Sequence, residues 1–183
     1  FTFFGGQQMG NALADVIYGK VNPAARTTTT WAKQMSDLPV VNTTPNNGEL
    51  HYSEGKFIGY RAWKKSGTAP LIPFGHGLSY TTFASELVSA GKSVAKVKVT
   101  NTGNRAGAHT VQIYAQLENA QSFERRLAGF AKVSLQPSES VEVEVALEPL
   151  VFKRFKGGWQ DVAGKWIITL AENAFEQGAS VIV

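Results

Sequence analysis

The groups in this chain that could move a proton are 14 aspartates and glutamates and 3 histidines, with no cysteine beside them. Without cysteine there is no thiolate nucleophile, no thiolate metal ligand and no disulfide. His51, His76 and His109 stand far apart, and none has a second histidine at the i,i+4 spacing that sets two imidazoles on one helix face, so no metal site is expected. Gly75-His76-Gly77-Leu78-Ser79 puts a serine near a histidine but lacks the G-x-S-x-G turn that exposes a serine nucleophile. A pair of carboxylates for acid–base work is equally hard to assemble. Glu142 and Glu144 share one face of an alternating run, and it is the face opposite the valines, hence the wet one. Asp15 lies in a helical stretch beside Val16, where a cap or an ion pair explains it. Glu54 falls in a linker and reads as an acceptor for backbone amides, and Asp161 reads as a turn acid after Trp159. The chain is therefore assigned no catalytic residue, no metal and no cofactor.

The wider composition narrows the function classes. The 183 residues are 43% hydrophobic and 17% charged, as in an ordinary globular domain, and no run has the apolar length of a membrane span. The net charge of +4 is spread along the chain. Its densest basic run, Lys153-Arg154-Phe155-Lys156, reads as a solvated turn rather than a nucleic-acid patch. Neither a nucleic acid nor a membrane is expected as a partner. The opening FTFFGGQQMG has no basic leader and no small-residue cleavage site, and is expected to enter the fold in mid-domain.

The elements that would position any site fall in two parts. Residues 7–18 have helical spacing, with Met9, Leu13, Val16 and Ile17 on one face and Gly19 as the stop. The β-branched run from Thr27 to Ala32 predicts a strand, residues 36–56 a long loop, and Phe57–Trp63 a short extended segment. From residue 84 the pattern becomes alternation. Val94–Val99, Thr110–Leu117, Phe130–Leu135, Val141–Leu147, Trp166–Ala171 and Ser180–Val183 predict strands, separated by turns at 101–104, 136–138 and 156–158. Short strands with regular punctuation over about 100 residues predict an antiparallel β-sandwich. The first part cannot stand alone. A helix offering a few aliphatic side chains, each worth about 1.5–3 kcal/mol when buried, does not offset the ordering of tens of residues at about 1.5 kcal/mol apiece.

Four stretches then occur in order: GGQQMGNALADVIYGKVNPAART, HYSEGKFIGYRAW, PLIPFGHGLSYTTF and RRLAGFAKVSLQPSESVEVEVAL. Together they resemble the C-terminal end of glycoside hydrolase family three, the β-glucosidase type, over essentially the whole chain. Gly6 stands where that pattern has proline, Thr27-Thr28 where it has Leu-Pro, and Lys65 near a common aspartate. The resemblance implies a mainly β chain: an immunoglobulin- or fibronectin III-like sandwich preceded by the last helix–strand unit of an α/β-sandwich domain and a long linker. The implied divisions are 1–35 for the α/β remnant, 36–83 for the linker and 84–183 for the fibronectin-like domain. It also implies an Asp nucleophile and a general acid/base upstream of Phe1, with the remainder of such an enzyme and a β-linked glycoside as partners. β-Xylosides and arabinosides are alternative substrates, and a free-standing carbohydrate-binding module is an alternative role. Because sugars stack on aromatic rings, Trp63, Trp159 and Tyr60 are candidate substrate contacts, and the loop from Phe123 to Arg126 is another if the sandwich reaches toward the active site of the full enzyme. PLIPFGHGLSYTTF reads as a hinge. Pro70 and Pro73 fix φ, Gly75 and Gly77 supply turn angles, His76 bonds the turn, and Tyr80 and Phe83 begin the sandwich.

Overall fold

A computed structural model describes residues 4–40 and 43–183. The core is a two-sheet antiparallel sandwich. One sheet has the order β1 (Phe83–Ala90), β2 (Val94–Asn101), β5 (Ser140–Ala146). The other runs β4 (Arg126–Leu135), β3 (Gly107–Leu117), β8 (Trp166–Leu170), β9 (Ser180–Ile182). A small separate hairpin, β6 (Lys153–Phe155) and β7 (Trp159–Asp161), turns at Gly157-Gly158. Alternation along the strands explains the burial. Val97, Val99, Ile113, Val145 and Ile168 are fully buried between the sheets, each adding about 1.5–3 kcal/mol. Opposite the valines, Lys96 faces Glu144 across β2 and β5 and pairs with it at 3.0 Å, so this wet face carries an ion pair.

Several elements differ from the sequence expectation. Phe57–Trp63 was expected to be extended, but Tyr60–Ser66 forms a short helix, α2, closed by Gly67 in the left-handed conformation. Burial decides it: Ala62 and Trp63 lie on the inner face of that turn and are shut from solvent. Thr27–Ala32, expected as a strand, bends at Thr28-Thr29, and its pairing reduces to a single bridge, Trp31 with Ile72. Its partner is the proline- and glycine-rich hinge, which cannot continue a ladder. β1 was not expected as a strand, because inward-facing Ser85 interrupts its alternation and hydrogen-bonds His109 at 3.3 Å. The expected helix is present as α1 (Met9–Ile17). None of its residues is buried, and Leu13 and Ile17 are 40% and 63% exposed.

The segments before residue 80 lie against the sandwich. Alternation in β3 predicts one buried face, yet Gln112 and Tyr114, on the other face, are buried too. The hinge covers them. Gly75 accepts from Gln112 Nε2 at 3.0 Å, and Ala174 N–H donates to Phe74 at 3.0 Å. Thr27 holds the hinge from its other side. Thr27 N–H donates to His76 O, Gly75 N–H donates to Thr27 O, and the Thr27 hydroxyl donates to Pro73 O. His76 bonds this turn through its own backbone N–H to Pro73 O at 3.2 Å. Gly75 is required twice over. Its φ is +87°, and a Cβ there would stand 2.3 Å from Gln112 Oε1 and 2.9 Å from the Tyr114 hydroxyl. Gly75→Ala is therefore expected to cost about 2 kcal/mol or more through backbone strain and overpacking, seen as a fall in the denaturant midpoint. Gly91→Ala, where a Cβ meets nothing within 4 Å, is the matched control.

Candidate functional site

An open groove of about 990 Å³ lies between the segment around α2 and the β6–β7 hairpin. One wall is Thr28, Thr29 and Thr30 with Ile58 to Arg61 and Trp63; the other is Arg126, Leu150, Lys153 to Lys156 and Trp159. The groove brings together three of the residues singled out in the sequence: Trp63, Arg126 and Trp159. They sit differently. Trp63 is 3% exposed and works as a wall, whereas Trp159 is 54% exposed. Trp159 packs edge-on against Phe155, with ring centroids 5.6 Å apart. Arg126 is half-buried and donates to Val151 O at 3.1 Å and, more weakly, to Lys153 O at 3.4 Å. Phe123 lies beside the groove in a short 3₁₀ turn, edge-on to Phe57 at 5.2 Å. Tyr60 is pinned: it stacks on Phe74 at 4.8 Å, and its hydroxyl accepts from Leu127 N–H at 2.8 Å. Burial raises its pKa.

Charge in the groove is one-sided. Glu148 is the one carboxylate among its described lining residues, and it is spent capping a 3₁₀ turn by accepting from Leu150 N–H. Just outside, Glu124 takes Lys56 at 2.8 Å and Arg154 at 3.4 Å. The hydrogen bond from Lys56 leads the effects that lower its pKa. Lys153 pairs with Asp161 at 3.2 Å. Arg61, Arg126 and Lys156 have no carboxylate partner among the described residues. Burial, with Arg61 and Arg154 close by, pulls Arg126 below its ordinary pKa. Sequence reasoning missed Arg61, which a supposed extended segment gave no reason to aim inward. Lys153–Lys156, expected as a solvated turn, is β6 and the start of the turn after it, with Arg154, Phe155 and Lys156 exposed.

A second, smaller concavity of about 270 Å³ lies where the first part meets the sandwich. Arg26 pairs with Glu172 at 2.8 Å, and Arg26 Nη2 approaches His109 Nδ1 at 3.3 Å. His109 Nε2 lies 3.3 Å from Glu172 Oε1. A guanidinium can only donate, so Nδ1 must accept and the ring proton resides on Nε2, aimed at Glu172. Each concavity thus holds one committed carboxylate, and neither supplies the free pair that acid–base chemistry on an acetal requires. Asp15 pairs with Lys20 and Glu144 with Lys96, while Glu54 uses its backbone carbonyl to accept from Phe57 N–H. Among the described residues no group of three or more His, Asp or Glu could hold a metal ion.

Comparison with known proteins places this arrangement. Residues 1–80 match the model of the glycosyl hydrolase family 3 C-terminal domain, and residues 109–180 match that of a fibronectin type III-like domain. A probable β-glucosidase I of Emericella nidulans is 40% identical over 175 residues, 87% of this chain and 20% of the relative. The crystal structure of a Kluyveromyces marxianus β-glucosidase in complex with glucose superposes with a TM-score of 0.89 at 32% identity, over 98% of this chain and 23% of that one. β-Glucosidase 3B of Thermotoga neapolitana, solved with α-D-glucose, gives a TM-score of 0.85 at 29% identity, over 97% and 26%. The chain thus spans about a fifth of the length of the relatives it matches.

The Glu172 cluster makes a pH prediction. Burial disfavours the Glu172 charge, but the hydrogen bond from His109 and the charge and hydrogen bond of Arg26 outweigh it, and the pKa is lowered. A carboxylate whose folded-state pKa lies below its unfolded value, about 4.3, contributes stability above that value. The contribution is lost as pH falls through the folded one. Glu172→Gln is expected to be less stable than the parent at pH 7, with the gap shrinking below about pH 4. Denaturant midpoints at pH 7 and pH 3.5 read it; a gap independent of pH would contradict it.

Proposed function

This chain belongs to glycosyl hydrolase family 3 through its C-terminal and fibronectin type III-like domains, and on that premise we propose that it is the closing module of a retaining β-glucosidase. In that enzyme terminal β-D-glucosyl residues are hydrolysed by a double displacement, in which a carboxylate attacks the anomeric carbon while a second carboxyl protonates the leaving oxygen. Neither carboxyl is assigned to these residues. Their role is to hold the last part of the α/β layer and the hinge against the sandwich, and so to fix the rim of the active-site half. The supporting observation is the two-sided burial of β3: a free-standing sandwich would leave Gln112 and Tyr114 wet, and here the hinge covers them.

The segments 1–35, 36–83 and 84–183 are proposed as divisions of origin rather than as separately folding units. The apolar stripe of α1, with Leu13 and Ile17 exposed, is proposed to be covered by the remainder of the enzyme. The purified chain alone is expected to release no aryl alcohol from an aryl β-glucoside. Turnover by the chain alone, abolished by Glu54→Gln or Asp161→Asn, would place the chemistry here and overturn the reading.

A further inference from the structure

We propose that the groove between α2 and the β6–β7 hairpin is a binding site for an anionic oligosaccharide, one carrying carboxylates on its sugar rings. Its chemistry differs from that of the α1 face, which is apolar and suits a protein partner. The groove is concave, and most of its charged groups are cationic. Arg61, Arg126 and Lys156 lack carboxylate partners among the described residues, and the one lining carboxylate, Glu148, is turned to a backbone amide. The bases of the groove outnumber the carboxylates near them, Glu148, Glu124 and Asp161, and a ligand anion relieves the repulsion that is left. Arginine suits this ligand, because its planar fork meets a carboxylate through two parallel hydrogen bonds.

The second observation is the exposed aromatic pair. Trp159 and Phe155, 54% and 67% exposed, stand edge to face at the groove, whereas Trp63 and Trp166 are almost completely buried. Rings left open beside unpaired guanidinium groups offer a stacking surface to the C–H face of a sugar while its carboxylate turns toward Arg61 and Lys156. Thr28 and Thr29, exposed on the facing wall, supply hydroxyls for the sugar hydroxyls. A volume of about 990 Å³ admits several rings. This inference concerns binding alone and does not rest on the β-glucosidase reading.

The test is titration of the purified chain with an oligogalacturonate, followed by tryptophan fluorescence and calorimetry. A neutral cello-oligosaccharide of equal length and a short polyglutamate run in parallel. Expected are saturable binding of the oligogalacturonate that weakens with salt, a fluorescence change, and weaker binding of both comparison ligands. Arg61→Gln and Lys156→Gln should each reduce affinity about tenfold, and Trp159→Ala should reduce it and remove most of the fluorescence change. Circular dichroism and the denaturant midpoint of each variant establish that the fold is kept. Equal binding of the neutral oligomer would remove the role of charge. Equal or tighter binding of polyglutamate would assign the groove to an acidic protein segment, and no binding of the oligogalacturonate would refute the site outright.

Discussion

The side-chain amide of Gln112 is the knot on which the rest of the molecule depends. It sits on the outer face of β3, where a sandwich strand ordinarily meets water, and is 4% exposed. Its Nε2 donates to Gly75 O at 3.0 Å and to Glu172 O at 2.8 Å, and its Oε1 accepts from the Tyr114 hydroxyl at 2.9 Å. A buried amide with its donors and acceptor unfilled would cost several kcal/mol, so the hinge must lie where it does. Gly75 follows from that: no side chain fits between the hinge backbone and this amide. The neighbouring contacts reinforce the seam. Arg125 lies over the Tyr114 ring at 4.5 Å and donates to Glu176 O at 2.7 Å, and Lys64 donates to Ala174 O at 3.1 Å. Asn22 accepts from Tyr80 N–H and from the Ser79 hydroxyl, tying the start of the chain to the end of the hinge.

By fixing the hinge on the sheet, the seam joins the residues before Tyr80 to the β-sandwich along one edge. Leu13 and Ile17 of α1 stay exposed, and the arginines of the groove beside α2, Arg61 and Arg126, are carried by α2 and β4 rather than by loose loops.

Much of this was legible in the sequence, and the reason is periodicity. Alternation in Val94–Val99 and Val141–Leu147 located β2 and β5, and the turn residues between the strands fell where the chain reverses. The hinge was legible because Pro and Gly constrain the backbone directly. What escaped notice depended on tertiary partners. Gln112 alternates like any solvent-facing residue, and only the hinge lying over it makes it core. Ser85 broke the pattern of β1 because its inward face meets a histidine rather than an aliphatic layer. Residues 60–66 are helical because of what Trp63 buries against, which no local propensity records. The groove combined Arg61 with Lys156, distant in sequence and joined only by the fold.

The central claim is that hinge and sandwich open as one cooperative unit. Native-state hydrogen exchange of the amides of Thr27, Gly75 and Ala174, compared with those of Val97 and Ile113, tests it most directly. The account predicts that all five exchange with the same opening free energy and the same denaturant dependence. Exchange of Thr27, Gly75 and Ala174 through a separate, lower-energy opening while Val97 and Ile113 stay protected would contradict it.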